Sequence, residues 1–419
     1  MIKGFDRNYW ILVLEGVMFT GGIIALSTGA VVAIFVNTMT GSNTLIGLAV
    51  TLQALLLAVG QLIGAPFIGN IRKLPAFLFK GMAIQRAIPL FMALPLFLGV
   101  SGYAAVTIFM ILFALFWGVD GTITLSWGEL CARALKPELR SHMMGMQATL
   151  GGVLSLAVGL VFTWMLATPT LNDEYRFGFI FILGSILLLS TIIFIRLVRD
   201  PNPTEKPEKT NYKQFYSEIP NLVKSCKPLQ RILIARIPSY IGFAAISFVI
   251  VYGINILSLS DSQASWLVYA GIIGGIISGV ALGEVSRMFG NKAIIIICNC
   301  AVVVVIVMAV MLTFVSSLGY IWLFVTCMLA SFTGNHWFGY FNYFIDIAPV
   351  KNRAAYQLIG QCVGIPFSFI GLVMGVIVDR FGFISMFVIC GVFAFVSVIF
   401  SLRLLSKDKM TELQIAREG

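Results

Sequence analysis

Apolar residues in this chain come in long runs separated by short polar breaks. The runs cover about residues 9–36, 44–69, 75–99, 104–129, 142–167, 177–197, 232–257, 264–286, 292–315, 320–345, 355–379 and 382–405. Each is long enough to cross a hydrocarbon layer of ~30 Å as a helix, which takes about 20 residues. A helix also satisfies its own backbone hydrogen bonds, which lipid cannot do. A polar or Gly/Pro-containing break separates each neighbouring pair. The pattern therefore predicts an all-α polytopic membrane protein with twelve transmembrane helices.

The basic residues divide the breaks into two alternating sets. One set carries Lys3 and Arg7, Arg72, Lys73 and Lys80, Arg133, Lys136 and Arg140, Arg287 and Lys292, Lys351 and Arg353, and the tail cations Arg403, Lys407, Lys409 and Arg417. The other set carries only Arg176 and Arg380. By the positive-inside rule both termini are expected in the cytoplasm, and a bacterial plasma membrane is the expected location. The opening "MIKGFDRNYW" is basic and leads into an apolar run without a small-residue cleavage site, so it reads as the start of the first span.

Composition narrows the function classes. The chain is 59% apolar and 11% charged, with a mean hydropathy of +0.97. A soluble domain is about half apolar and about a quarter charged, so a water-soluble fold is excluded. The net charge of +10 lies in short clusters with no aromatic-interleaved basic face, and no nucleic-acid partner is expected. Cys298, Cys300, Cys327, Cys362 and Cys390 lie inside apolar runs, where a thiol acts as a small hydrophobe. Cys298-Asn299-Cys300 lacks the partner ligands of a zinc site. With no metal cluster, nucleophile triad or phosphate loop, neither a cofactor nor an enzyme activity is expected.

The middle of the chain, "RDPNPTEKPEKTNYKQFYSEIPNLVKSCKPLQR", is rich in proline and charge. It predicts a cytoplasmic linker over 200–230, with a short surface helix around Tyr212–Lys224. The linker separates a six-helix half, 1–199, from a second, 231–405, which a tail at 406–419 follows. The halves share landmarks. "ALKPELRSHMMGMQ" follows the fourth run and "DIAPVKNRAAYQLIGQ" the tenth. The pentapeptide "RFGFI" occurs at Arg176–Ile180 and Arg380–Ile384, in the same place in each half. Gly178 and Gly382 are expected to permit a turn there. Landmarks in register indicate duplication, hence two pseudo-symmetric six-helix bundles.

Together these features resemble the major facilitator superfamily of secondary transporters. That family's signature loop reads Gly-x-x-x-Asp-Arg-x-Gly-Arg-Lys. "GEVSRMFGNK" keeps Gly283, Gly290 and Lys292, with Arg287 at the Asp position and Met288 at the first Arg. "GAPFIGNIRK" keeps Gly64, Arg72 and Lys73, with Ile68 and Ile71 at the Asp and second Gly positions. "DRFGFISMF" is similar to the family's Asp-x-x-Gly-Trp-Arg-x-x-Phe turn. The resemblance implies a small-molecule substrate bound between the halves near the midplane, alternating access, and a cavity lined by the first and fourth helices of each half. The signature-loop residues Arg72, Lys73, Gly283, Arg287 and Gly290 would then serve the inner gate.

An ionisable side chain within lipid is costly, so it marks candidate chemistry. Glu15, Asp120, Arg236 and His336 fall on the first, fourth, seventh and tenth runs at comparable depth. Glu15 and Asp120 are candidates to carry a proton; the structural alternative is a carboxylate held by a nearby cation. Arg236 is a candidate counter-ion or anion ligand, and His336 either a participant or a satisfied packing residue. Arg86 reads as a structural partner of a carboxylate. Asn255, Asn342 and Gln53 offer neutral polar contacts. Trp117 and Tyr340, with Trp127, Trp337 and Tyr343, offer rings for stacking, although aromatics in spans more often pack or anchor. Glu129 with Arg133, and Asp346 with Arg353, are expected to pair as closing contacts of the inner gate.

The resulting expectation is a monomeric transporter embedded in the lipid bilayer, with protons and a small organic solute as its partners. Proton-coupled efflux by antiport is the leading reading. Against it, "GMQATLGGVLSLAVGL" lacks the proline of the family's antiporter run, so uptake of a polar or anionic solute by symport stands beside it. A non-transporting sensor or a lipid flippase is the alternative from another class.

Overall fold

The computed structural model describes residues 6–28, 31–168, 170–201, 211–259, 261–314 and 319–418. Among them all regular structure is helical. The α-helices are α1 (Arg7–Ile23), α2 (Val31–Thr40), α3 (Asn43–Ile68), α4 (Leu74–Phe97), α5 (Gly102–Ala134), α6 (Pro137–Ala167) and α7 (Asp173–Leu197), then α8 (Tyr212–Ser225), α9 (Lys227–Ala244), α10 (Ile246–Leu257), α11 (Asp261–Phe289), α12 (Asn291–Phe314), α13 (Gly319–Phe332), α14 (His336–Asp346), α15 (Arg353–Cys362), α16 (Ile370–Leu402) and α17 (Lys407–Glu418). The predicted runs map onto α1–α2, α3, α4, α5, α6, α7, α9–α10, α11, α12, α13–α14, α15 with the first part of α16, and the rest of α16.

Several predicted single helices are broken. α1 passes into a 3-10 turn, Ile24–Leu26, and α9 gives way to α10 at Ala245. A 3-10 turn at Thr333–Asn335 joins α13 to α14, and another at Ile365–Phe369, containing Pro366, leads into α16. Proline removes a helical donor and so favours such interruptions.

The chain forms two compact units. The first comprises Met1–Lys136 and Leu150–Tyr212; the second comprises Pro137–Thr149 and Lys213–Gly419. The first unit's core is aromatic. Phe35 lies 5.0 Å from Phe109 and 5.1 Å from Phe177 by ring centroids, and Phe109 stacks on Phe181 at 5.3 Å. The second unit packs Tyr252 and Phe387 with Val302, Val305, Ile306 and Leu323.

The same helix pairs recur in both. α3 packs on α5, and α7 on both α1 and α4; correspondingly α11 packs on α13, and α16 on both α9 and α12. Side-chain hydroxyls and amides tie these pairs. Thr122 Oγ1 donates to the Gly60 carbonyl at 2.9 Å, and Asn335 Nδ2 donates to that of Gly275 at 3.0 Å. Ser397 Oγ donates to the Ala235 carbonyl at 2.8 Å. This is the packing expected of a duplicated six-helix design.

The paired pentapeptide is a correction. Gly382 has φ +80° and interrupts α16, as a turn glycine does. Gly178 instead lies buried within α7, where a Cβ would meet the Phe97 ring at 2.8 Å. The first copy is therefore a helix–helix contact and not a turn. α7 already starts at Asp173, and Arg176 reaches back to the Thr168 carbonyl at 2.7 Å.

The linker's surface helix is α8. Its exposed face carries Tyr212, Lys213 and Lys224, while Ile219, Leu222 and Val223 pack against Cys226, Leu229 and Ile232. Residues 202–210 of the linker and Lys3 lie outside the described residues.

Candidate functional site

Two candidate residues meet in one buried cluster of the first unit. On α5, Trp117, Asp120, Thr124 and Trp127 are spaced to share one face of a 3.6-residue helix. On α1, Glu15 and Phe19 are four apart and share another. α4 supplies the adjacent pair Gln85 and Arg86, both buried. Arg86 Nη2 lies 3.5 Å from Glu15 Oε1, and its guanidinium sits 4.8 Å above the Phe19 ring. Trp127 Nε1 donates to Glu15 Oε2 at 3.0 Å. Asp120 accepts from Gln85 Nε2 at 2.9 Å and from Thr124 Oγ1 at 3.3 Å. Ser185 of α7 fixes the α4 backbone by donating to the Arg86 carbonyl at 2.6 Å.

Glu15 and Asp120 are 3% and 5% exposed, so neither reaches out of the unit to water. Arg86 is within electrostatic reach of both. One guanidinium thus faces two carboxyl groups in apolar surroundings. Arg86 was legible in sequence as a carboxylate partner; Gln85 carried no signal of its own.

The second unit holds an aromatic–cation stack. Arg236 of α9 lies 4.3 Å from the Tyr340 ring centroid and 4.8 Å from that of Tyr240, and its Nε donates to the Tyr240 hydroxyl at 2.8 Å. Tyr240 stacks in turn on Phe367, at 5.4 Å and nearly parallel. His336 stacks on Phe243 at 4.0 Å, with Nδ1 3.0 Å from the Thr333 carbonyl. Tyr340 accepts from Asn299 Nδ2 at 3.3 Å.

A second buried polar chain in this unit converges on Asp346. Asn342 Nδ2 donates to Ser141 Oγ at 2.7 Å, Ser141 donates to Asn291 Oδ1, and Asn291 Nδ2 donates to Asp346 Oδ2 at 2.6 Å. Arg140 Nη1 closes the chain on Asp346 Oδ1 at 2.9 Å. Asp346 was expected to pair with Arg353. Asp346 makes an ionic contact with Arg140, which lies in the "ALKPELRSHMMGMQ" landmark. Arg353, at the start of α15, acts on Asp346 through its charge. Asn342 belongs to this chain through its Nδ2, while its buried Oδ1 has no partner.

The remaining candidates scatter. Trp117 is buried against Phe113 and Phe116 in the aromatic core, with its Nε1 unpartnered. Gln53 accepts from Thr28 Oγ1 at 3.0 Å, and Asn255 is exposed on α10. Glu129 and Arg133 pair as expected, at 2.8 Å.

A family model described as the Major Facilitator Superfamily matches residues 232–418. The match covers less than half of the chain. No curated protein matches the sequence. Among solved structures, the fold is similar to FucP, a superfamily transporter in its outward conformation, at 14% identity, with 95% of this chain and 100% of that one covered and a TM-score of 0.68. It is also similar to the proton:xylose symporter XylE at 15% identity, 97% and 98% coverage and a TM-score of 0.71. A bacterial homologue of the iron transporter ferroportin gives 12% identity, 95% and 99% coverage and a TM-score of 0.71. These likenesses cover nearly the whole chain and show its fold. By length and composition, ten helices among the described residues are long and apolar enough to cross a membrane.

The superfamily's signature loops are altered in structure as in sequence. Arg72 and Lys73 are exposed between α3 and α4. Arg287, at the family's Asp position, donates to Glu284 at 2.8 Å, and Glu284 also contacts His142 Nε2 at 3.0 Å. Gly290 has φ +80°, the turn the motif's second glycine serves, and Gly283 lies against the His142 backbone.

Proposed function

We propose that this chain is a member of the major facilitator superfamily and a proton-coupled transporter of a small organic solute, in which Glu15 and Asp120 carry the proton. The supporting observation is the imbalance around Arg86: two buried carboxyl groups and a single buried guanidinium. Such a cluster is neutral when it holds one proton, and a low-dielectric setting favours neutrality. Binding a charged or acceptor-rich solute beside it shifts that balance, which is how proton and solute become linked.

Of the two directions open from the sequence, symport fits the site better. The buried cations Arg86 and Arg236 suit a solute that brings negative charge or acceptors. FucP and XylE are also described as proton symporters. Efflux by antiport is the second reading; it rests on the carboxylate of the first span and on the aromatic content. In either case the protein works as a monomer in a bacterial plasma membrane with both termini cytoplasmic. Its functional halves are 1–199 and 231–405, joined by the linker 200–230 and followed by the tail 406–419. Glu129–Arg133 and Asp346, with the signature-loop residues, serve the inner gate, and Arg236, His336 and Tyr340 serve the solute path.

The test is reconstitution into liposomes with a pH-sensitive dye inside, challenged with a panel of solutes. A symported solute acidifies the lumen as it enters, whereas an antiported one alkalinises it. Glu15→Gln and Asp120→Asn should each reduce the solute-driven signal, and their combination should abolish it. A full signal in the double variant would sink the proposal.

A further inference from the structure

Arg86 is 2% exposed, yet its Nε and Nη1 have no hydrogen-bond partner. Beside it Gln85, wholly buried, uses its amide nitrogen on Asp120 and leaves Oε1 without a partner. The remaining guanidinium nitrogen, Nη2, stands 3.5 Å from Glu15, a loose contact for an ion pair. Glu15 is held more tightly by the Trp127 indole, at 3.0 Å. Buried donors of this kind are costly, and native structures pair nearly all of them. A charged group left unsatisfied costs more than a neutral one. The stack on Phe19 covers a face of the guanidinium but satisfies none of its in-plane N–H groups.

From this we infer that Arg86 is a substrate-binding residue whose ligand is the carboxylate of a small organic anion. The inference rests on the proposal that this unit handles solute and protons, and it names the solute class. Donors are in excess: Arg86 presents two free nitrogens, while Gln85 presents one free acceptor. An ammonium ligand would find no use for the guanidinium nitrogens and would be repelled by their charge. A carboxylate accepts from them, and a hydroxyl next to the carboxylate can donate to Gln85 Oε1. Arg suits this role because its planar donors match the carboxylate's two oxygens.

The charged groups facing Arg86 are Glu15 from α1 and Asp120 from α5; α7 contributes the neutral Ser185. With both carboxyl groups ionised the cluster carries a net −1, and an incoming carboxylate makes it −2. With both protonated the cluster is +1, and the same ligand makes it neutral. An anion therefore binds together with protons, which is symport. Neutralising Glu15 also frees the third guanidinium nitrogen for the ligand.

Trp127 touches Glu15, so indole fluorescence reports on the cluster. The probes are lactate, gluconate and benzoate at millimolar concentration, with lactamide, benzamide and benzylamine as uncharged and cationic counterparts, added to purified full-length protein in lipid nanodiscs at acidic pH. At least one carboxylate should shift the fluorescence saturably, and its amide or amine counterpart should not. Arg86→Gln should weaken that binding about 10- to 100-fold, the equivalent of a lost charged hydrogen bond. Arg86→Lys, which keeps the charge, should lose less. Retained size-exclusion behaviour and melting temperature separate lost binding from lost folding; if Arg86→Gln does not fold, Arg86→Lys and Gln85→Leu carry the comparison.

The inference is overturned if no carboxylate binds, if the amine binds better, or if binding is unchanged without Arg86. It is distinct from proton coupling. In Glu15→Gln/Asp120→Asn, carboxylate binding should persist at neutral pH, because Arg86 remains and no competing carboxylate does. Arg86-dependent binding without pH-driven flux would leave the anion site standing and remove the coupling proposal.

Discussion

Arg140 Nη1 lies 2.9 Å from Asp346 Oδ1, and both side chains are buried. Asp346 also receives Asn291, and Asn291 receives both Ser141 and Ser286. Removing one partner leaves a buried charge uncompensated, which costs about 3–5 kcal/mol. Arg140→Ala and Asp346→Ala should each lower the melting temperature markedly. The double variant should lose less than the sum, with a coupling of about 1–3 kcal/mol. Thermal unfolding of the four proteins in one detergent gives that coupling directly; additive losses would mean the contact contributes little.

The glycines of α11 recur every four residues at Gly271, Gly275, Gly279 and Gly283, and the sequence reads as one smooth face against one neighbour. The structure divides that face. A Cβ on Gly271 would meet Ser331 of α13 at 2.9 Å, while one on Gly279 would meet the Gly145 carbonyl oxygen of α6 at 2.6 Å. On Gly283 the nearest atoms stand at 3.4 Å, and on Gly275 nothing lies within 4 Å. Substitution by alanine should therefore be graded. Gly279→Ala should be destabilising by about 1–3 kcal/mol through overpacking. Gly283→Ala should be mild, and Gly275→Ala should gain up to about 1 kcal/mol of helix propensity. Equal losses at all three sites would refute the split contact.

How far the sequence could be read follows the physics of each signal. Span length is a one-dimensional quantity, and the helices it implies are present among the described residues. Breaks within a span are harder to see. Ala245 and Thr333–Asn335 interrupt helices without a proline at the break. Residues chosen for being ionisable in apolar runs, Glu15 and Asp120, do converge. Asn342 and Trp117 are legible only as polar or aromatic, types that also pack, and they lie apart from that cluster's contacts, in a buried polar chain and an aromatic core. Arg140 and Gln85 were missed because their role depends on which helix faces which, and that is set by tertiary packing alone.

Gln230, in the first turn of α9, donates through Nε2 to the Val223 and Lys224 carbonyls at 2.9 and 2.8 Å. Those carbonyls end α8, where helical donors run out. The side chain thus caps one helix from the next and sets the angle at which α8 returns to the unit. Gln230→Ala should loosen α8 by about 1 kcal/mol, the usual worth of one hydrogen bond. Faster amide hydrogen exchange over 212–225, with exchange in α12 unchanged, is the expected outcome. Unaltered protection in α8 would mean that packing of Ile219, Leu222 and Val223 is sufficient to hold it.

Arg133 draws together three parts of the first unit. Its Nε donates to Glu129 at 2.8 Å, and its Nη1 lies 3.3 Å from the Ile71 carbonyl and 3.5 Å from Asp200. The α3–α4 turn and the segment after α7 are thereby fastened to the end of α5. The geometry needs two nitrogens at a fixed separation, which a guanidinium has and an ammonium lacks. Arg133→Lys keeps the charge but should serve only one of these partners at a time, at a loss of about 1–2 kcal/mol. Asp200→Ala removes the longest contact, at 3.5 Å, and leaves Arg133 paired with Glu129, so it should cost less than Arg133→Lys. If Arg133→Lys melts like the parent, charge alone holds the junction, and the fork geometry is incidental.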